Sequence, residues 1–247
     1  MSAVDEKYDV ADHKVVSCLG WLILFGVVGF FVMTAVLSSL KSFGDKEELR
    51  QCRALMTEQI ERIKRGEINC LVQPDPRLID ELMTDTACSE KIRDLYLGGD
   101  LSDPQLSRLL ELPNLKCIIL LFGDKSIVFF EHLKGNAKIE EITIDRTHLT
   151  RKAVDCIGSL PNLKSLCCPV EGLKPDDLQG IANHPAIEKL YLGRAENSDG
   201  LLPILQSLPR LKNVTIQILE ERNPESFRES LQSALPDCKC LVNGAES

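Results

Sequence analysis

Aliphatic residues return along this chain at a nearly constant interval. Ile92, Leu115, Ile139, Leu163, Ile187 and Leu211 are separated by 23, 24, 24, 24 and 24 residues. Three residues after each stands a second apolar residue: Leu95, Ile118, Ile142, Leu166, Leu190 and Val214. Five residues after each stands a third: Leu97, Leu120, Ile144, Cys168, Leu192 and Ile216. Alternation between the second and third positions puts both side chains on one face of a short strand. Beyond the strands, segments such as Asp103 to Leu112 (DPQLSRLLEL) and Leu149 to Leu160 (LTRKAVDCIGSL) carry apolar residues at helical spacing. Pro113, Pro161, Pro185, Pro209 and Pro236 then end these segments and return the chain to a strand. Each unit therefore reads as strand, turn and helix.

A unit of this size cannot bury its apolar face alone, but stacked copies share a core, with parallel strands on one side and helices on the other. The frame continues upstream in Ile68 and Leu71, although Gln73 breaks it. Downstream, Cys238 and Leu241 repeat the first two positions after 27 residues. These outer units read as caps. LPNLKCIIL, IEEITIDRTHLT, LPNLKSLCC and IEKLYLG resemble leucine-rich repeats of the bacterial style, in units of about 24 residues. The resemblance implies an α/β leucine-rich-repeat solenoid over 68–247, caps included, with strands on the concave side and helices on the convex side. The sequence departs from that family at the turn, where Asp100, Gly123, Thr147, Glu171, Ala195 and Leu219 replace the usual Asn or Cys.

After a tail over 1–14, residues 15–40 contain no charge and are flanked by Lys14 and Lys41. At about 1.5 Å per residue they exceed the roughly 20 residues that cross a bilayer core, so a transmembrane helix is expected there. A cleaved signal peptide is the alternative, but its apolar run is normally about 7 to 15 residues. Lys41, Lys46, Arg50 and Arg53 outnumber Lys7 and Lys14, which places the folded domain of a single-pass cell-membrane protein in the cytoplasm. Residues 41–67 form an amphipathic connecting helix, with Leu49, Cys52, Met56, Ile60 and Ile63 as its stripe and Gly66 as its stop. That helix either covers the open end of the next domain or self-associates.

Composition narrows the functions. A net charge of −8, with no basic run, argues against nucleic-acid binding. Ten cysteines without any C-x-x-C spacing read as small hydrophobic thiols, not as a zinc site. His13, His132, His148 and His184 belong to no metalloprotease motif, and no phosphate-cradling glycine loop or nucleophile elbow occurs. Neither catalysis, a metal nor a cofactor is therefore expected. Glu140 with Glu141, and Asp176 with Asp177, read as solvated charge.

The strand residues between the buried pairs should face outward. Their central row reads Tyr96, Ile119, Thr143, Cys167, Tyr191 and Thr215, flanked by Asp94, Cys117, Glu141, Ser165, Lys189 and Asn213. Leu121 and Phe122 extend an apolar patch, and such patches, especially with tyrosine, mark partner sites. The expected site is Tyr96, Ile119, Leu121, Thr143, Cys167, Tyr191, Lys189 and Glu141. The expected function is a membrane-anchored module, held through residues 15–40, that binds a protein or peptide on this face. The alternative is a structural membrane protein that associates weakly with itself.

Overall fold

The structure, a computed structural model, describes residues 45–98, 101–121, 127–145, 149–195, 200–218 and 224–244. The chain divides into two compact units, 1–54 and 55–247. In the first, the described residues are the opening turns of helix α1 (Asp45–Arg65).

In the second unit, eight strands form one sheet whose order follows the chain. They are β1 (Cys70–Val72), β2 (Asp94–Leu97), β3 (Cys117–Leu120) and β4 (Glu141–Ile144), then β5 (Ser165–Pro169), β6 (Lys189–Ala195), β7 (Asn213–Ile218) and β8 (Lys239–Gly244). Every pairing is parallel, so each strand is followed by a crossover. The crossovers are α2 (Ile79–Thr84) with α3 (Thr86–Ser89), α4 (Asp103–Leu110), α5 (Ile127–Leu133), α6 (Arg151–Gly158), a 3-10 stretch (Pro175–Ile181), α7 (Leu201–Gln206) and α8 (Pro224–Ala234).

Register follows the apolar interval. Leu95, Ile118, Ile142, Leu166, Leu190 and Val214 are successive partners across β2 to β7, and all are buried. Helix residues Leu106, Leu109, Phe129, Phe130, Val154 and Ile157 close the same core from the other side. At the entries of β1 to β6 one carbonyl accepts two backbone donors from the next strand. Arg93 O takes Lys116 N and Cys117 N, Glu140 O takes Lys164 N and Ser165 N, and Glu188 O takes Lys212 N and Asn213 N. Buried backbone groups are thereby paired.

The β1 edge is covered rather than left open. Gln59 of α1 accepts from Val72 N at 3.1 Å and donates to Val72 O at 3.3 Å, taking the place of a neighbouring strand. Met56 and Ile63 sink into the core beside it. Gly66, with φ of 75°, ends α1, where Gly66 N donates to Ile63 O and Glu67 N to Arg62 O. Between β5 and β6 the crossover is a 3-10 stretch lying directly on α6. A methyl group on Gly158 would stand 1.8 Å from Gly180 O, and one on Gly180 would stand 2.8 Å from Asp155 Cα. The two backbones touch because neither residue has a side chain.

Three expectations are corrected. The transmembrane helix expected over 15–40 lies outside the described residues, and among the described residues no helix is long and apolar enough to cross a membrane. The single-pass anchor and the cell-membrane location with a cytoplasmic domain are withdrawn on that finding. The leucine-rich-repeat solenoid of six units between irregular caps is likewise replaced by an α/β fold with eight parallel strands in one sheet. The outer segments are strands of that sheet, and the crossover at Pro175–Ile181 is not an α-helix. Finally, β8 is offset by one residue from its expected frame: Val214 pairs with Cys240, and Leu241 pairs with Thr215. A one-residue offset exchanges the two faces of a strand, so Cys240 is buried and Leu241 is 47% exposed.

Candidate partner-binding face

Side chains alternate along β2, β3, β4, β5 and β7, the inner ones buried and the outer ones partly exposed, and β6 keeps the alternation as far as Leu192, where its register shifts. The outer central row runs Val72, Tyr96, Ile119, Thr143, Cys167, Tyr191, Thr215 and Leu241, each the register partner of the next. Tyr191 is 38% exposed. A parallel row runs Cys70, Asp94, Cys117, Glu141, Ser165, Lys189, Asn213 and Lys239. Of the eight expected site residues, five are consecutive in the central row: Tyr96, Ile119, Thr143, Cys167 and Tyr191. Glu141 and Lys189 stand in the parallel row with Ser165 between them, and Leu121 follows β3, half-buried. Phe122, Asp100, Gly123, Thr147 and Leu219 lie outside the described residues, as do His13 and His148.

The face is poor in activated groups. Burial pushes the Cys167 thiol up to about 11, with Asp145 adding to the effect. Burial pushes Cys117 up to about 12, helped by Asp94 and Glu141. Cys168, on the inner side, is fully buried and its thiol is also raised by burial. Such thiols carry little thiolate near neutral pH and are poor nucleophiles. All nine described cysteines are free thiols. Burial raises the phenols of Tyr96 and Tyr191 as well. Asp94 is held above the usual carboxylate range by burial, Arg93 opposing and Glu141 adding to the rise.

A second charged row, not read from the sequence, borders the face. The residue before each outer-row position is Arg93, Lys116, Glu140, Lys164, Glu188 or Lys212, so charge alternates from Lys116 onward. Glu140 accepts from Lys116 Nζ at 2.5 Å and from Lys164 Nζ at 2.6 Å, and these two lysines hold its carboxyl down at about 2. Glu188 accepts from Lys212 at 2.9 Å. Glu140 is thus an ion-pair centre rather than solvated charge. Its visible signal was the same interval of 24 residues, carried by polar rather than apolar positions.

Elsewhere, His184 is buried, its Nε2 donating to Leu160 O at 2.7 Å while Nδ1 accepts from Ala186 N at 3.2 Å. It holds one crossover to the next. A cleft of 380 Å³ at the entry of β1 to β3 is lined by Glu90, Lys91, Arg93 and Lys116 among others. Two of its cations are engaged, Lys116 with Glu140 and Lys91 with Lys64 O. Among the described residues no group of three or more His, Cys, Asp or Glu could hold a metal ion.

No family model matches the chain, and no curated protein matches it. Among solved structures it is similar to an N-acetylneuraminate lyase from Mycoplasma synoviae, at 12% identity and a TM-score of 0.31. That match covers 71% of this chain and 66% of the lyase, just under two thirds. Similarity at that level carries no argument for fold or activity. The expectation that the chain is not an enzyme is withdrawn, because missing sequence motifs exclude only the chemistries those motifs serve.

Proposed function

We propose that the outward face of the sheet binds a protein or peptide partner. The observation that carries this reading is the unbroken central row, in which Val72, Tyr96, Ile119, Cys167, Tyr191 and Leu241 leave apolar or aromatic surface exposed or half-buried. Adjacent strands stand about 4.8 Å apart, so the row is a continuous ribbon about 34 Å long. Polar and charged side chains run along its border, the composition of a binding patch with a polar rim. Leu121, Thr143, Glu141 and Lys189 complete the site. Leu241 lengthens it beyond the residues expected from sequence.

A photoreactive amino acid at Thr143, and in a control at Glu229 on α8, tests this in the cell that makes the protein. The expected result is a defined adduct from Thr143 that is missing from Glu229. It should disappear in the Tyr96→Asp, Ile119→Asp, Tyr191→Asp triple variant, whose urea midpoint should match the parent. An adduct that survives the triple variant, or that forms equally from Glu229, overturns the proposal. An adduct between two copies of the chain favours self-association instead.

A further inference from the structure

The two charged rows are arranged in opposite ways. At the strand entries positive and negative residues alternate, and Lys116, Glu140 and Lys164, like Glu188 and Lys212, satisfy one another. On the face itself the signs are segregated. Asp94 and Glu141 stand on β2 and β4, whereas Lys189 and Lys239 stand on β6 and β8. β3, β5 and β7 contribute uncharged Cys117, Ser165 and Asn213 between them. Among the described residues no hydrogen bond or ion pair engages the side chains of Asp94, Glu141, Lys189 or Lys239. Asp94 is half-buried there, and burial raises its carboxyl. A carboxylate in that state gains from an incoming cation.

Resting on the reading of this face as a partner site, we infer that the partner is an extended segment lying across the strands, with Lys or Arg over β2 to β4 and Asp or Glu over β6 to β8. Four strand spacings from β3 to β7 cover about 19 Å, which an extended chain spans in about six residues. The segment's charged ends are therefore about six residues apart, and apolar residues between them lie on Thr143, Cys167 and Tyr191. Tyr96 lies on the same side of β2 as Asp94, where an aromatic ring adds to the binding of a cation. Segregated charge selects a partner by sign and orientation, because a chain of a single sign or in the reversed direction meets like charge at one end or both.

The test uses the full chain and a phage library of random twelve-residue peptides. Peptides are selected on the parent, and those that still bind the Tyr96→Asp, Ile119→Asp, Tyr191→Asp variant are discarded. The expected survivors carry basic residues at one end and acidic residues about six positions away. Their affinity, read by fluorescence anisotropy, should fall at least about tenfold on Asp94→Lys with Glu141→Lys, and equally on Lys189→Glu with Lys239→Glu. Asp94→Asn with Glu141→Gln should give a smaller loss in the same direction, which separates charge from misfolding. Survivors without segregated charge, or indifferent to these changes, overturn the inference and leave the partner face standing. If no peptide depends on the triple variant, both readings fall. A dimer of the parent in sedimentation velocity that either charge reversal abolishes assigns the face to a second copy, and overturns the peptide.

Discussion

Glu140→Gln isolates the electrostatics of the strand-entry row. Each carboxylate oxygen accepts from one lysine, Oε1 from Lys116 and Oε2 from Lys164, at 2.5 and 2.6 Å. These bonds lower the carboxyl from about 4.5 to about 2. A depressed carboxyl stabilises the fold at any pH above its unfolded value and loses that contribution as pH falls through the folded one, here between about 4.5 and about 2. Taken at face value the depression is worth about 3 kcal/mol. The Lys116 and Lys164 side chains are 43% and 54% exposed, however, and solvent screens most of that. About 1 kcal/mol remains. Glutamine keeps the shape and one acceptor oxygen but presents an amide to the second lysine. Urea titration of parent and variant should therefore show a cost of about 1 kcal/mol near neutral pH, shrinking to nothing near pH 2. About 1 M salt should halve it at neutral pH. A cost that persists undiminished at the acid end, or ignores salt, refutes the ion-pair account and assigns the loss to packing.

Gln59→Ala strips Val72 of both hydrogen bonds and should cost about 1 to 3 kcal/mol, with loss of amide exchange protection at Val72 as the direct readout. Gly158→Ala gains about 1 kcal/mol of helix propensity yet drives a methyl group to 1.8 Å from Gly180 O; a net loss of about 2 kcal/mol should appear in the urea midpoint. Leu241→Arg should change stability by less than about 0.5 kcal/mol, whereas Cys240→Arg should detach β8; the reverse ranking would restore the other register. Cys167, at about 11, should react with iodoacetamide near pH 8 about a hundredfold more slowly than an ordinary thiol, and a rate near the ordinary one would contradict its burial.

The pairing of β2 to β7 was legible because each strand offers two buried apolar residues at fixed parity, and a one-residue shift of any strand would turn its member of the series Leu95, Ile118, Ile142, Leu166, Leu190 and Val214 outward. The same parity placed Tyr96, Ile119, Thr143, Cys167 and Tyr191 in one outward row. Beyond β7 the signal failed for a definite reason. Val214 and Cys240 are 26 residues apart, and with Cys238, Cys240, Leu241 and Val242 all apolar, two registers satisfy the pattern equally well. Cysteine, small enough for either face, does not choose. At Pro175–Ile181 the composition resembles a helix opening, but the backbone contact of Gly158 with Gly180 is a tertiary fact that no local propensity contains. The charged row went unread because a search for apolar recurrence passes over Lys116, Glu140 and Lys164, although they recur at the same interval.

Every strand of this sheet finds its neighbours within the segments that immediately precede and follow it. No pairing waits for a distant part of the chain, so loop closure costs little at each step and contacts stay local in sequence. A polypeptide emerging from the ribosome can therefore complete its fold in installments, each new strand docking onto an edge that already exists. Since Gln59 closes the starting edge, that growth has one direction: truncation from the C-terminus should leave an assembled remainder, while removal of the Gln59 helix should expose the strand on which all the others are laid.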